Sequence, residues 1–312
     1  MIIHILPENT SPCGGIKVHY ELCEIERELG IHSVVAFPNK NNIPKWFKRN
    51  TGKILSYAEA KELGYKDKKK GKDVLVIGWE DPEPLNIYFP DFIHACYIQG
   101  DVFWKGIFNY PNKYILCSSN YIRNTISGAP FSVVNPFIHT DVFYTSPDIK
   151  KFDKKPYKVV IQERKGGKEA LSKILSLVPS NFYKDKFNFK VIKDTTEEKF
   201  SKELREADVY IAHSFPEGFG LPPLEAMSSS TLVIGFTGGG GVEFLKQGEN
   251  SFYASDGDYP GVIKILEKIL IMEPSQLRLI AYNGYKTSQQ YSKENTKQQL
   301  ISFLRTIKNA SL

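Results

Sequence analysis

Along the first half of the chain, short runs of apolar residues, many of them β-branched or aromatic, are separated by polar and turn-forming segments. Such runs are typical of buried strands, whereas apolar residues that recur every three or four positions indicate a helix packed on one face. The predicted strands are Ile2–Leu6, Ser33–Phe37, Val74–Gly78, Phe92–Ile98, Tyr114–Ser118 and Ser132–Val134. The helical pattern covers Ile16–Leu29, and Gly30 marks its end.

The same alternation restarts in the second half and is more regular there. The predicted strands are Lys158–Ile161, Phe187–Ile192, Val209–Ala212 and Leu232–Gly235, and the predicted helices are Lys168–Val178, Glu197–Glu206 and Pro222–Ser229. From Tyr259 onward the pattern is helical, with breaks at Pro274 and near Ser292. Strands that alternate with helices predict an α/β fold in which each half builds a parallel sheet with helices on its faces.

The polar stretch Thr145–Pro156 separates the two halves and contains lysines and prolines rather than a periodic apolar pattern. Such a composition is typical of a linker. A chain of 312 residues is long enough for two domains of roughly 100–200 residues each. We therefore predict an N-terminal domain over residues 1–143 and a C-terminal domain over residues 144–312.

Hydrophobic residues make up 41% of the chain and charged residues 24%, as in globular proteins. No apolar run approaches the roughly 18 residues of a membrane span, and the N-terminus lacks the basic start and apolar core of a signal peptide. We therefore expect a cytoplasmic protein. The net charge of +6 suits a phosphorylated ligand or an anionic membrane surface, so peripheral contact at the inner face of the membrane stays open.

Several partner classes have no support in the sequence. No zinc-finger or RNA-recognition signature is present, so nucleic acid is not an expected partner. Cys13, Cys23, Cys96 and Cys117 lack CxxC spacing and indicate neither a zinc site nor a disulfide framework. The basic run Lys66–Lys72 indicates a solvated loop.

Ligands of open parallel sheets bind outside the carboxyl ends of the strands. Four loops at such ends are unusual in composition, namely Pro7–Gly15, Gln162–Lys168, His213–Leu221 and Thr237–Gly241. The last three belong to the second half, so we expect them to converge on one edge of one sheet.

The segment HSFPEGFGLPPLEAM, residues 213–227, begins where a predicted strand ends. Gly218 and Gly220 allow the backbone to approach a ligand closely. Pro222 and Pro223 suit the first turn of a helix. The amino end of that helix is a suitable site for a diphosphate because its free amides and its dipole favour negative charge.

Two glutamates lie on either side of this turn, Glu217 on the loop and Glu225 about one turn into the helix. A carboxylate has two acceptor oxygens and can therefore accept both hydroxyls of a ribose. A second carboxylate nearby can stabilise positive charge that develops on a sugar ring. The pair thus indicates a site for a sugar nucleotide.

The sequence EGFGLPPLEAM resembles the paired-glutamate signature of retaining glycosyltransferases of family 4. The resemblance continues into the neighbouring segments LREADVYIAHS and TLVIGFTGGGGVEFLKQGEN and, more thinly, into CSSNYIRNTI and VNPFIHTDVF. It implies the GT-B fold, in which two Rossmann-like parallel-sheet domains face each other across a cleft, with helices at the C-terminus. The N-terminal domain is then the acceptor side and the C-terminal domain binds the nucleotide sugar.

The activity implied is transfer of a sugar from a nucleoside-diphosphate sugar to a glycan, a lipid-linked molecule or another hydroxyl acceptor, as in polysaccharide biosynthesis. The resemblance further implies retention of the anomeric configuration, and we expect neither a cofactor nor a metal. By resemblance, Glu225 binds the donor ribose and Glu217 lies near the transferred sugar. The donor-binding set is Glu225, Gly218, Phe219, Gly220, Leu221, Gly14, Gly15, Gln99, Gly240 and Gly241.

Two departures from the family pattern leave assignments open. The family spaces two phosphate-binding basic residues several positions apart, whereas here Arg164 and Lys165 are adjacent; we assign both, with Lys168 as the alternative lysine. Gln99 stands where many members have a histidine. His213 is a weaker candidate at its strand end, and His94 is expected in the core. Candidates for lining an acceptor groove are Trp46, Phe47, Trp79 and Trp104.

Three alternative functions are considered against this interpretation. A dehydrogenase needs a GxGxxG turn after the first strand, and PENTSPCGG does not fit. A metal-dependent transferase needs an Asp-x-Asp loop, but Asp256 and Asp258 follow the glutamate pair at a turn where helix capping is expected. A non-catalytic relative that only binds a sugar nucleotide, as a binding or scaffold protein, is the remaining alternative.

Overall fold

The computed structural model describes residues 1–8, 14–39, 54–79, 83–100, 114–125, 131–145, 151–179, 181–193 and 196–310. The chain divides into two compact units. Unit 1 comprises Met1–Asn135 together with Lys297–Leu312, and unit 2 comprises Pro136–Thr296. The assignment of the acceptor to one half and of the donor to the other stays a prediction.

The described part of unit 1 forms a seven-stranded parallel sheet with strand order β3-β2-β1-β4-β5-β6-β7. Its strands are β1 (Ile2–Ile5), β2 (Ser33–Phe37), β3 (Ile54–Ser56), β4 (Leu75–Trp79), β5 (Ile93–Ile98), β6 (Tyr114–Cys117) and β7 (Phe131–Val133). Its helices are α1 (Gly14–Glu28), α2 (Tyr57–Lys69), α3 (Glu83–Tyr88) and α4 (Asn120–Thr125). Every residue of β1 and β2 is buried, as expected where helices cover both faces of a parallel sheet.

The last helix of the chain, α10 (Lys293–Ala310), contributes its residues from Lys297 onward to unit 1. Gln299 and Asn135 form a reciprocal pair, since the backbone N–H of Asn135 donates to Gln299 Oε1 at 2.8 Å and Gln299 Nε2 donates to the side-chain Oδ1 of Asn135 at 2.7 Å. Phe303 packs edge-on against Tyr114 of β6, with ring centroids 6.4 Å apart. The C-terminal segment is therefore a structural part of the unit that the N-terminus begins.

A buried polar network lies between β1, β2 and α1. His4 Nδ1 lies 3.0 Å from His19 Nδ1, and His4 Nε2 lies 2.9 Å from Glu26 Oε2, which also accepts from the Ser33 hydroxyl. A carboxylate only accepts, so His4 carries its proton on Nε2 and its Nδ1 accepts from His19 Nδ1–H. His19 Nε2 is then the unprotonated nitrogen, and among the described residues it has no hydrogen-bond partner. Both rings and the carboxylate are completely buried.

This network predicts that unit 1 loses stability in mild acid. Burial, together with the neighbouring His4, holds the pKa of His19 well below its ordinary value of 6.5. The unfolded chain therefore binds a proton below about pH 6.5 that the folded chain does not, so the stabilisation is complete above that pH and declines as the pH falls. One such proton contributes at most about 1.4 kcal/mol per pH unit.

Urea unfolding at pH 7.5, 6.5 and 5.5 measures this decline. All three tryptophans, Trp46, Trp79 and Trp104, belong to unit 1, so tryptophan fluorescence follows that unit alone. In the His19→Phe variant the titrating ring is gone, and the free energy of unfolding should vary less steeply between pH 6.5 and 5.5. If the free energy of unfolding changed equally with pH in the wild type and in His19→Phe, His19 would not be the group responsible for the decline.

The described part of unit 2 forms a five-stranded parallel sheet with strand order β12-β11-β10-β8-β9. Its strands are β8 (Tyr157–Gln162), β9 (Phe187–Ile192), β10 (Val209–Ala212), β11 (Leu232–Phe236) and β12 (Ser251–Ala254). Its helices are α5 (Gly167–Ser176), α6 (Glu197–Glu206), α7 (Leu221–Ser228), α8 (Tyr259–Ile271) and α9 (Pro274–Ser288), with a 3-10 helix at Gly240–Glu243. The central strand β10 pairs Val209 with Val159 of β8 and with Leu232 of β11, which aligns the carboxyl ends of these three strands.

The predicted α/β fold with two parallel sheets is confirmed, and so are the helix breaks at Pro274 and near Ser292. Four elements of unit 1 were missed: Ile54–Ser56, Tyr57–Lys69, Glu83–Tyr88 and Asn120–Thr125. The predicted solvated loop over Lys66–Lys72 is wrong as far as Lys69, because these residues are the last turns of α2 and Asp67 among them is buried.

The predicted linker Thr145–Pro156 is also corrected in part. Residues 146–150 lie outside the described ranges, but Lys151 is buried inside unit 2. Its ammonium donates to the Ser229 carbonyl at 2.8 Å, just after α7, and to Thr231 Oγ1 at 2.7 Å. Burial lowers the pKa of Lys151 to about 7. Because Lys151 is held in this way, the segment around it is packed against unit 2 and is not a flexible linker.

The remaining sequence expectations concern cysteines and membranes. Cys23, Cys96 and Cys117 are buried and form no disulfide, and Cys13 lies outside the described residues. None of the helices in the described ranges is both long and apolar enough to cross a membrane. His94 is buried as predicted, with Nε2 donating to the Phe89 carbonyl at 2.7 Å.

Candidate functional site

Three loops meet at the carboxyl ends of β8, β10 and β11 in unit 2, as predicted. The loop after β10 pairs with the glycine-rich loop after β11, since Glu217 N donates to Gly238 O at 2.6 Å and Gly240 N donates to Glu217 O at 2.8 Å. The loop after β8 joins them through an ion pair between Lys165 and Glu217. The predicted site residues of unit 2 are thereby brought into one region.

Glycines make the close approach of the two glycine-rich loops possible. A Cβ atom on Gly240 would lie 2.5 Å from backbone atoms of Gly218 and Phe219, so a side chain there would force the loops apart. Gly220 has φ +94°, in the left-handed region, and is the residue from which α7 begins. Phe219 is buried in the core beneath, where its ring packs against Phe244.

Helix α7 begins at Leu221 and carries prolines in its first turn, as predicted. Pro222 and Pro223 have no N–H, and the Leu224 amide lies four residues after Gly220, whose carbonyl accepts the first bond of the helix. Leu221 therefore supplies the free amide of that turn. The Leu221 amide and the positive end of the helix dipole remain available for an anion.

Glu225 and Glu217 act on a common neighbour. Glu225 lies in the second turn of α7 with only 7% of its surface exposed, whereas Glu217 is partly exposed on the loop. Tyr210 is buried in the central strand, and burial raises the pKa of its phenol; the charges of Glu225 and then Glu217 raise it further. Both carboxylates are therefore close enough to Tyr210 for their negative charge to act on its phenol.

The loop after β8 directs Lys165 towards Glu217. Lys165 Nζ lies 2.8 Å from Glu217 Oε1 and 3.4 Å from the Pro216 carbonyl oxygen. The lysine side chain is 41% exposed and the glutamate side chain 23% exposed. A pair this accessible contributes about 0–1 kcal/mol, so an anionic ligand can separate it at little cost.

The backbone of this loop is tightly turned. Lys165 has φ +57° and Gly166 has φ +85°, and both Gly166 N and Gly167 N donate to the Glu163 carbonyl. A Cβ on Gly167 would lie 1.8 Å from the carbonyl oxygen of Gln162, so α5 can begin here only with glycine. Arg164 and the alternative lysine Lys168 are both exposed.

His213 has a position that the sequence did not predict. Its side chain is 5% exposed, and Nε2 lies 2.9 Å from the Arg164 carbonyl oxygen, so Nε2 carries a proton and donates it. Burial lowers the pKa of His213. The ring therefore links the end of β10 to the loop after β8. A histidine at a strand end suggested a site residue, but no pattern in the sequence indicated that it binds a neighbouring loop.

The carboxylates of Asp256 and Asp258 each accept a hydrogen bond from a backbone amide. Asp256 Oδ1 accepts from Gly238 N at 3.0 Å, and Asp258 Oδ1 accepts from Gly261 N at 2.9 Å at the start of α8. The predicted capping role is confirmed for Asp258. Within the described part of the chain, no three His, Cys, Asp or Glu residues are grouped in a way that could hold a metal ion.

The predicted site residues of unit 1 meet at the carboxyl end of its own sheet. Gly14 and Gly15 are the first residues of α1, and Gln99 Nε2 donates to the Gly15 carbonyl at 3.2 Å. A Cβ on Gly15 would lie 3.0 Å from Trp79 Nε1 and 3.1 Å from Gln99 Oε1. Trp79 is thereby placed beside the glycine turn. The other predicted groove residues, Trp46, Phe47 and Trp104, lie outside the described residues.

Comparison with known proteins agrees with this arrangement. Residues 148–287, all within unit 2, match the family model described as Glycosyl transferases group 1. EpsD of Bacillus subtilis strain 168, a protein named as a glycosyltransferase, is 31% identical over 97 residues, which are 31% of this chain and 25% of the relative. The match therefore spans about a quarter of EpsD.

Solved structures resemble the chain over nearly its whole length. Sucrose-phosphate synthase from Thermosynechococcus elongatus has 16% identity and a TM-score of 0.76, covering 99% of each chain. Anabaena HepE in complex with UDP-glucose has 15% identity and a TM-score of 0.71, covering 98% of this chain and 99% of its own. The pneumococcal O-GlcNAc transferase GtfA in complex with UDP and GlcNAc has 10% identity and a TM-score of 0.73, covering 98% of each. At such identities the likeness establishes the fold, and the predicted GT-B fold is confirmed.

Proposed function

We propose that the chain is a retaining glycosyltransferase that transfers a sugar from a nucleoside-diphosphate sugar to a hydroxyl acceptor without a divalent metal. The observation that carries this proposal is the junction of three loops in unit 2, where Glu217 pairs with Lys165 and Glu225 lies nearby on α7. The group 1 glycosyl transferase match over the same unit supports glycosyl transfer as the reaction class.

The donor is bound mainly by unit 2. The diphosphate lies against the amino end of α7 and the loop after β8, where Arg164 and Lys165 supply positive charge. The ribose hydroxyls donate to Glu225, whose burial makes its carboxylate a strong and directional acceptor. HepE and GtfA were determined with UDP or a UDP sugar, which supports UDP as the first nucleotide to test.

The chemical step separates charge. As the bond between the anomeric carbon and the diphosphate oxygen breaks, the sugar ring becomes positive and the leaving group gains negative charge. Glu217 or the donor phosphate stabilises the ring, and Arg164 and Lys165 stabilise the leaving group. Fixed cations and helix amides perform the task that a metal performs in other transferases, which is the basis for proposing a metal-independent reaction.

Unit 1 supplies the acceptor side in this proposal. Gly14, Gly15 and Gln99 at the described polar edge of its sheet remain members of the proposed donor-binding set, and Trp79 beside them is the aromatic candidate for the acceptor. The acceptor class remains a glycan, a lipid-linked molecule or another hydroxyl compound, in a pathway of the polysaccharide-biosynthesis type. A lipid-linked acceptor would bring the protein to the inner membrane surface, which its net positive charge of +6 favours.

Release of nucleoside diphosphate from a panel of UDP, GDP and ADP sugars tests the proposal. We expect at least one donor to be turned over, by slow hydrolysis if no acceptor is present, at equal initial rates with excess EDTA and with added magnesium. NMR of the first-formed product should show the anomeric configuration of the donor.

Each part of the proposal can fail separately. An inverted product would refute retention, and a rate lost with EDTA and restored by magnesium or manganese would refute metal independence. Donor binding without any turnover would favour the alternative of a non-catalytic sugar-nucleotide-binding protein.

A further inference from the structure

Lys165 is held in an unusual backbone conformation. Its φ of +57° lies in the left-handed region, which residues other than glycine seldom adopt because Cβ crowds the backbone. Such a conformation persists where the surrounding structure holds it and is common at functional sites. The conformation decides the direction of the side chain, and here it directs the ammonium to Glu217.

The peptide that precedes Lys165 is fixed by His213. The φ angle of a residue changes when the plane of its preceding peptide rotates, and the oxygen of that peptide is the Arg164 carbonyl, which accepts from His213 Nε2 at 2.9 Å. The imidazole is buried and lies so close beside Gly167 that a Cβ built there would be 3.2 Å from its Cε1 atom, so the ring has little room to move. Loss of this hydrogen bond would release the peptide plane.

We propose that His213 is a positioning residue for donor binding, acting through the Arg164 carbonyl to hold Lys165 in the left-handed conformation that directs its ammonium towards the diphosphate. This inference rests on the proposed function. His213 does not touch the diphosphate itself; it sets the direction of the cation that does.

Unit 1 offers a matched control for this role. His94 is also buried and also donates Nε2–H to a backbone carbonyl, that of Phe89, at 2.7 Å. The two histidines make the same type of bond, but only the carbonyl bound by His213 belongs to the peptide that sets the direction of Lys165. A purely structural role predicts equal consequences for the two substitutions, whereas the positioning role predicts different ones.

The test is isothermal titration calorimetry, in which UDP is titrated into the wild type and into three single variants. His213→Phe keeps the ring and removes the donor, so UDP affinity should fall by about 10-fold, the value of one lost hydrogen bond. His213→Gln places an amide N–H at a similar reach and should restore affinity to within about twofold. His94→Phe should lower the unfolding temperature and leave UDP affinity unchanged.

A double variant distinguishes an effect of His213 that acts through Lys165 from a loss of UDP affinity that does not depend on Lys165. In the Lys165→Ala background the ammonium is absent, so adding His213→Phe should change UDP affinity little further, a non-additive result. Additive losses would overturn the inference, and so would equal affinity of the wild type and His213→Phe. If His213→Phe does not fold, His213→Asn, whose amide is too short to reach, takes its place against His213→Gln. Should the wild type bind none of UDP, GDP and ADP, the proposed function fails first and this inference falls with it.

Discussion

Replacing Glu217 by glutamine should lower kcat for glycosyl transfer by about 10²–10³-fold, the typical loss when one preorganised electrostatic group is removed. Glutamine keeps the shape of the side chain but not its charge, and the backbone pairing of residue 217 with Gly238 and Gly240 does not depend on the side chain. Lys165 meanwhile loses its partner Glu217 and becomes fully available to the diphosphate. We therefore expect the KM for the donor to stay the same or to fall, although catalysis is lost.

The opposite kinetic pattern is expected at the second glutamate. In the proposed function Glu225 binds the donor in its ground state as well as in the transition state, so Glu225→Ala should raise the donor KM more than it lowers kcat. Glu249, an exposed residue of unit 2 outside the site, is the control, and Glu249→Ala should leave both constants unchanged. If Glu217→Gln raised KM and left kcat intact, or if a folded Glu225→Ala variant bound donor normally, the two roles would have to be reassigned.

Glu26→Leu should destabilise unit 1 by about 2–6 kcal/mol, because two buried donors lose their acceptor at about 1–3 kcal/mol each. These donors are His4 Nε2–H and the hydroxyl of Ser33, and both lie in the interior where water cannot replace the carboxylate. Urea unfolding followed by tryptophan fluorescence measures the loss, since all tryptophans belong to unit 1.

Glu28 provides the comparison on the same helix. It is exposed in the last turn of α1, so Glu28→Leu should change the free energy of unfolding by less than about 0.5 kcal/mol. A loss below about 1 kcal/mol for Glu26→Leu would mean that the carboxylate is not the acceptor that the two donors require.

The sequence predicts the elements of unit 2 well because its signals are local. Three elements of unit 2, Phe187–Ile192, Glu197–Glu206 and Val209–Ala212, are found with the predicted bounds, since each is a contiguous apolar or amphipathic run between polar residues. The loop at Glu217 is likewise specified by neighbours in sequence: glycines permit the close approach and prolines begin the helix.

Other features depend on contacts that are distant in sequence. Helix α2 was missed because its buried face consists of Tyr57, Ala60, Gly64 and Asp67, which form no apolar stripe. Gly64 has to be small because a Cβ there would lie 2.9 Å from the ring of Phe92. Helix α1 carries charged and polar residues that belong to a solvated face by type, yet His19 and Glu26 are buried because β1 and β2 supply partners for them.

The role of His213 could not be predicted for a related reason. Its partner is a backbone carbonyl 49 positions earlier, and a carbonyl leaves no trace in the residue type. The role of Asp256 is also hidden in the sequence, because its Oδ1 accepts from a backbone amide, that of Gly238. Sequence therefore identifies the residues that can contact a ligand better than those that hold them in place.

The return of the C-terminal segment to unit 1 has a consequence for the order in which the protein is made. Pro136–Thr296 is one uninterrupted stretch of chain, whereas the first unit needs residues from Lys297 onward as well. On the ribosome, unit 2 can therefore finish folding while unit 1, which is begun before it, still lacks the partner of Asn135 and the ring that packs on Tyr114. The first part of the protein to start folding is in this way the last to be completed.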